Sequence, residues 1–423
     1  MRYVIIGNSA AGTSAAETIR HLDPIGSITI ISDEKHPAYS RPLTPDFISG
    51  ELKEEELFYR PGDFHKKNEI ELLTGRKVIS LNPSLKELTM DNGERVPYDR
   101  LLMATGARAI RPSIKGIEYA FTLRTLEDAR LIISRISKEI ESAVVLGGGL
   151  VGLKLAEALH KKGLNVRLVA KSPHLLSRQL DIDGARILQK AILQKGLELT
   201  FNQDAVRVEG GNGLTGRVIL EDGWEYKAQL VVAGKGVSPR KELIEAAGGS
   251  VRAGVVVNEF LETSLPGVYA AGDVAEVTNI VTGQPVVSTL WPSAVVQGRI
   301  AGYNMAGEKR SYAGAIIPMN SVDLFGIAMV SLGMTIPPIE GYQVLIHYYP
   351  EKGVYRKIVL KEDVVVGAIL IGEIEKAGVL NTLIGQKIPV GELKEKLEEK
   401  IFSYANFIKP LAPTTEAFTG ISV

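Results

Sequence analysis

Twice in its 423 residues the chain runs an apolar strand into a glycine-rich turn and leaves along a helix. The first pass reads "YVIIGNSAAGTSAAETIRHL" from Tyr3, and the second reads "AVVLGGGLVGLKLAEALHKKG" from Ala143. In the first, residues 3–6 have strand length, Ala11, Ala15, Ile19 and Leu22 share one helix face, and residues 27–31 form the next strand. A strand–helix–strand unit of this size builds parallel strands joined by a crossover helix. Single cores stop growing at about 250–300 residues. The length therefore predicts two or three domains.

Around the repeats the texture is β-rich. "GERVPYDRLLMATG" (93–106) and "GWEYKAQLVVAGKG" (223–236) each read as an antiparallel pair ending in a glycine turn. From about Tyr312 short apolar strands take over. "YRKIVLKEDVVVGAILIG" reads as a hairpin turning at 361–363, and Leu393, Leu397 and Ile401 predict a last amphipathic helix over 390–405. The tail "LAPTTEAFTGISV" has no periodicity and is expected to be loose or laid on a partner chain. The fold class is thus α/β, with two Rossmann-like dinucleotide-binding domains plus a C-terminal α+β domain. The expected divisions are 1–112 with 240–310, 113–239, and 311–423.

Other chemistry drops out. With 49 basic and 49 acidic residues and no basic run, nucleic acid is not an expected partner. Zero cysteines remove disulfides, thiolate nucleophiles and cysteine-held metal clusters. His21, His36, His65, His160, His174 and His347 lack metal-ligand spacing, so no metal is expected. Residues 313–334 are apolar, but Pro318, Asn320 and Asp323 interrupt them, which predicts buried strands rather than a membrane span. The opening lacks a charged segment followed by an apolar one, so the expected location is cytoplasmic.

The turns carry the chemistry. In Gly7-x-Ser9-x-x-Gly12 the first glycine makes the turn, a small middle residue lets backbone approach a pyrophosphate, and the last packs helix on strand. Ala10 and Ala11 complete this candidate phosphate cradle at a helix N-terminus, where free N–H groups favour an anion. Asp33 and Glu34 end the second strand where an acid can hold ribose hydroxyls, Asp33 being the better placed. Gly147-x-Gly149-x-x-Gly152, with Leu150 and Val151, is the second cradle. Its second strand ends in Lys171 instead of an acid, and a cation there accepts the 2′-phosphate of NADPH.

These two units, joined through "YDRLLMATGA" and followed by "TSLPGVYAAGDVAE", resemble the flavoprotein superfamily of pyridine-nucleotide oxidoreductases, with a glutathione-reductase-like fold. "AYSRPLTPDFISG", "LRTLEDA", "LWPSAVVQGRIAGYNMAG" and "PMNSVDLFGIAMVSLG" are most similar to rubredoxin and ferredoxin reductases and the flavin portion of nitrite reductases. The resemblance implies FAD held by Gly7, Ser9 and Asp33, flanked by Arg41 and Pro42, with Val78 touching adenine through its backbone. It places Ala104, Thr105 and Gly106 in the loop crossing the cofactor, and Gly236 in the matching turn of the second unit. Asp273, after Gly272, would accept from the ribitol chain, and a helix beginning at Trp291-Pro292 would face the pyrimidine end of the flavin.

Two departures qualify what carries over. Relatives that reduce disulfides or use a sulfenate need cysteines, which this chain lacks. Carrier-reducing relatives also have a lysine near the position of Pro45 and a glutamate where Lys154 stands. Hydride transfer needs no protein acid or base, so no catalytic side chain is assigned. The implied function is an FAD-dependent NAD(P)H oxidoreductase feeding a rubredoxin- or ferredoxin-like one-electron carrier, as a monomer or homodimer. The alternative is a flavin subunit exchanging electrons with an iron–sulfur partner in a larger complex. An NAD(P)H oxidase comes last, for want of the cysteine its relatives use.

Overall fold

The computed structural model describes residues 1–136, 139–211, 214–312, 317–399 and 402–407. The first repeat forms β1 (Arg2–Ile6), α1 (Ala10–Leu22) and β2 (Ser27–Ser32). These belong to a parallel five-stranded sheet ordered Val268–Ala270, Arg100–Met103, β1, β2 and β3 (Ile70–Thr74). The second repeat forms Ser142–Leu146, the helix Leu150–Lys161 and Asn165–Ala170. Its five parallel strands run Glu198–Phe201, Asn165–Ala170, Ser142–Leu146, Leu230–Ala233 and Phe121–Thr122.

The two turns are built alike. A Cβ on Gly12 would lie 1.9 Å from the Gly7 carbonyl oxygen, and one on Gly152 would lie 2.0 Å from that of Gly147. No side chain fits between helix and turn in either unit.

The stretches 93–106 and 223–236 are not antiparallel pairs. Arg95–Pro97 pairs with Glu87–Met90 in a small ribbon, whereas Arg100–Met103 enters the parallel sheet beside β1. Likewise Glu225–Lys227 pairs with Leu214–Leu220 while Leu230–Ala233 joins Ser142–Leu146. The physical reason is burial on both faces. Leu101, Leu102 and Met103 are all 0% exposed, a continuous apolar run suited to a sheet covered on both sides.

The third sheet is antiparallel, ordered Met319–Leu324, Ile327–Gly333, Val364–Ile371, Val354–Lys361 and Gln343–Tyr349. Its hairpin turns through Glu362 and Asp363, both left-handed at φ 48° and 61°. Within 313–334, Ile327–Gly333 is largely buried but Met319–Leu324 is an edge strand with one exposed face. Residues 313–316 lie outside the described residues.

The expected α-helix over 390–405 is replaced by two 3₁₀ turns, Gly391–Glu398 and Tyr404–Asn406. The Val390 N–H donates to the Asp363 carbonyl at 2.8 Å, tying the segment to the hairpin, and Glu399 turns extended at φ −64° and ψ 150°, which ends the first run before a continuous helix can form. Leu397, Phe402 and Phe407 are buried while Leu393 is exposed; Ile401 and the tail lie outside the described residues. A helix not foreseen, Ala377–Gln386, covers the sheet with Leu380, Leu383 and Ile384.

Two further features set the cleft. The chain leaves the first unit through Ala107–Ala109 and returns through Val237–Pro239, and these crossing strands pair antiparallel. The apolar core of the second unit continues into the third sheet through Leu324, Phe325, Met329, Tyr355, Ile369 and Ile371.

Candidate functional site

The parallel strands of both repeats end at one cavity of about 850 Å³. Ligands bind outside the carboxyl ends of strands in open α/β sheets. At the first unit the wall is formed by Gly7, Ser9, Ala10 and Ala11, by Asp33 and Glu34 after β2, by Val78, and by Ala104, Thr105 and Gly106 after Arg100–Met103. Gly272, Asp273, Trp291 and Pro292 continue the wall, as do Arg41 and Pro42, the first two residues of a 3₁₀ turn. The second unit contributes Leu150, Val151, Lys154 and Gly236. Gly12, Gly147 and Gly152 stand behind the wall, where they shape the turns, whereas Gly149 is off the wall and exposed, with open space beside its Cα. Lys171 is also off the wall, 71% exposed, with its ammonium 3.6 Å from Glu221.

Both helix starts are open to an anion. Neither Ser9 nor Gly149, the N-cap residues, makes a side-chain cap bond, so the first-turn amides face outward unsatisfied by a cap. Asn8 adds a donor: its Nδ2 is buried and has no partner among the described residues, while its Oδ1 lies 2.9 Å from His65 Nε2. Burial holds the His65 imidazole below its ordinary pKa. An orphaned donor in a wall of open amides suits a phosphate-bearing ligand.

The acids on the wall are each met by an arginine. Asp33 accepts from Arg240 at 2.6 Å, and Asp273 from Arg124 at 2.6 Å. Glu34 is held by Arg41 and by the Tyr39 hydroxyl, the latter at 2.6 Å. Burial, with Glu34 adjacent, pushes the Tyr39 hydroxyl far above its usual range, so it stays a donor. Glu34 thus has both oxygens engaged and its side chain is 17% exposed, whereas Asp33 is 42% exposed and, among the described residues, bonds through Oδ2 to Arg240. Of the two, Asp33 is the more exposed.

The helix Trp291–Met305 begins at the cavity with Pro292 in its first turn, as the sequence suggests. A Cβ on Gly298 would lie 2.2 Å from the Ala11 carbonyl oxygen, so this helix lies directly against α1. Gln297 accepts the Gly272 N–H at 2.7 Å and so fixes the turn before Asp273. Tyr59 stands edge-on to Trp291 with ring centroids 5.0 Å apart.

Arg124, Arg240, Tyr39 and Asn8 were not foreseen. The arginines lie 149 and 207 residues from the acids they meet, a distance no local pattern spans. Asn8 sits inside the glycine motif, and its polarity among small residues was the available signal. Among the described residues no group of three His, Cys, Asp or Glu could hold a metal ion, and no helix is long and apolar enough to cross a membrane.

Comparison with known proteins agrees with this geometry. Residues 1–298 match the pyridine nucleotide-disulphide oxidoreductase family, and residues 318–388 match the rubredoxin NAD+ reductase C-terminal domain. An NADH oxidase of Methanocaldococcus jannaschii is 32% identical, with 93% of each chain covered. The NADH-dependent phenylglyoxylate dehydrogenase subunit epsilon of Aromatoleum evansii is also 32% identical, over 93% of this chain and 94% of the relative. The covalent putidaredoxin reductase–putidaredoxin complex superposes with a TM-score of 0.84 at 26% identity, covering 92% of this chain and 94% of that one. With two like-built nucleotide units on one cleft and a matching third sheet, this cysteine-free chain belongs to the pyridine nucleotide-disulphide oxidoreductase family.

Proposed function

We propose that the chain is an FAD-dependent NAD(P)H oxidoreductase that passes electrons singly to a separate rubredoxin- or ferredoxin-like carrier. The observation that carries this reading is the shared cleft, in which walls from both glycine-turn units face one cavity. Its reach from Trp291 to Asp33 and Val78 favours a flavin carrying an adenosine over a mononucleotide. When bound, the flavin supplies the conversion of a hydride into single-electron steps, which nicotinamide cannot readily perform.

The chain's own residues bind and orient. The amides of Ser9, Ala10 and Ala11, with the free Asn8 Nδ2, receive the FAD pyrophosphate, and Asp33 receives the adenosine ribose. Val78 borders the adenine through its backbone. Asp273, aligned by Arg124, accepts from ribitol hydroxyls, while Thr105 and Gly106 cross the chain of the cofactor. Arg41 and Pro42 flank the ring, and the Trp291-Pro292 helix start directs its dipole toward the pyrimidine end, where it favours negative charge. Gly147, Gly149, Leu150, Val151 and Gly152 carry the nicotinamide pyrophosphate, with Gly236 opposite. Lys171 takes the 2′-phosphate of NADPH.

With no cysteine in the sequence, no thiol relay stands between flavin and acceptor, so the carrier has to approach the flavin edge itself. A cytoplasmic monomer or homodimer is the assembly this reading assumes. The test is anaerobic titration of the flavin-loaded protein: NADH or NADPH bleaches the flavin absorbance, and added carrier restores it. Failure of both nucleotides to bleach it overturns the reading.

A second reading has its own support. The Aromatoleum relative is named as a subunit and aligns along nearly its whole length. The chain would then be the flavin subunit of an iron–sulfur oxidoreductase complex. Purification from the native source distinguishes them, since this reading requires a stable heteromer.

A further inference from the structure

Lys154 lies one turn into the helix Leu150–Lys161 and forms part of the cleft wall, beside Thr44 and Pro45 of α2 (Thr44–Ser49) and Asn320 of the third sheet. Its side chain is 25% exposed, and its ammonium stands 3.3 Å from Glu157 Oε2, one turn further along the helix. The Glu157 side chain is only 8% exposed. Its other oxygen accepts the Phe325 backbone N–H at 2.9 Å and lies 3.6 Å from the Lys161 ammonium. Lys161 in turn holds Glu51 at 2.8 Å. From α2, burial raises the Asp46 carboxyl above its ordinary range, and Lys154 is the main influence drawing it back.

The arrangement has a direction. Of these charges Lys154 alone reaches the cavity wall, while Glu157, Asp46, Glu51 and Lys161 stand behind it. A buried carboxylate needs partners to offset its lost hydration, and Glu157 therefore fixes Lys154 where a free lysine would swing into water. The other cations at this end differ: Arg41 and Arg124 are each paired with an acid that is itself on the wall. Lys154 is thus the member of this charge cluster that stands on the wall.

We propose that Lys154 is an electrostatic partner of the bound flavin ring, held toward it by Glu157 so that the reduced ring is favoured. This rests on the flavin reading above. A hydride leaving NAD(P)H carries two electrons and one proton to a neutral oxidised ring; NAD(P)+ remains, and the ring holds one negative charge. A fixed ammonium at the wall lowers the energy of that charge and leaves the neutral ring almost unaffected.

The test is the equilibrium potential of the flavin-loaded protein against a reference dye, with no nicotinamide present. Lys154→Met is expected to lower the reduced-to-oxidised ratio at a fixed dye potential roughly tenfold, about 30 mV for a two-electron couple. Lys154→Arg is expected to stay within about twofold of the wild type, and so is Lys161→Met, which removes a charge of the same cluster from behind the wall. Lys154→Gln, which keeps a hydrogen-bond donor, serves if the methionine variant does not fold. A neutral variant that retains flavin at the wild-type potential overturns the proposal, as does an equal shift in Lys161→Met. If the wild type takes up no flavin, the broader reading fails first and takes this inference with it.

Discussion

Arg124 donates to Asp273 at 2.6 Å on the cleft wall, although 149 residues separate them in the chain. The arginine is itself fixed: its Nε donates to the Ala107 carbonyl at 3.1 Å, and its own carbonyl accepts from Arg41 at 2.9 Å. The start of the second unit thereby orients an acid belonging to the first.

Flavin retention is expected to depend on this pair. Hydrogen bonds to a charged group contribute about 1.5–3 kcal/mol, so Asp273→Ala should weaken flavin binding roughly 10- to 100-fold. Fluorescence titration of apoprotein with FAD measures it. Arg124→Met should weaken binding too, with Asp273 left unoriented.

Nicotinamide choice should follow Lys171. Its ammonium is exposed, with Glu221 at 3.6 Å as a weak competitor. Lys171→Asp is expected to shift the ratio of kcat/KM for NADPH over NADH toward NADH by roughly tenfold or more. An unchanged ratio would remove Lys171 from the site.

Gly152→Ala should disable the second unit while leaving the first intact. The added methyl would sit 2.0 Å from the Gly147 carbonyl oxygen, a backbone atom, and overpacking of this kind costs about 1–3 kcal/mol. Flavin content should stay close to wild type as reduction by nicotinamide is lost, and a lowered Tm should accompany it.

Acid should loosen the third sheet from the second unit. Asp181 caps the helix Ile182–Gln194 and accepts from Tyr355 at 2.6 Å and Lys357 at 2.9 Å, both on the third sheet. Burial acts to raise its carboxyl, but these donors outweigh it and hold the carboxyl below the ordinary range. A depressed folded-state pKa gives stabilisation that is fully present above the unfolded value of about 3.9 and lost as pH falls through the folded one. Thermal unfolding followed between about pH 5 and 2 should show a fall that Asp181→Asn flattens.

The sequence revealed what local chemistry dictates. Gly7 to Gly12 and Gly147 to Gly152 announce their turns because only glycine tolerates the contacts there, and Pro292 marks a helix start by what it cannot do inside a helix. Strand partners were less legible. The stretch 93–106 reads as an antiparallel pair ending in a glycine turn, but Leu101 to Met103 are buried on both faces and join the parallel sheet instead. The periodicity of Leu393, Leu397 and Ile401 fits a helix, yet the extended backbone at Glu399 interrupts the run. The arginines that complete the acids could be found only in three dimensions.

The paired crossing strands Ala107–Ala109 and Val237–Pro239 act as the spine of a book whose pages are the two nucleotide units. Because the second page shares its apolar core with the third sheet, the two turn together. The pages are also fastened to each other by Arg124–Asp273, Arg130–Glu54 and Lys161–Glu51, so parting them means breaking these ion pairs as well as bending the ribbon.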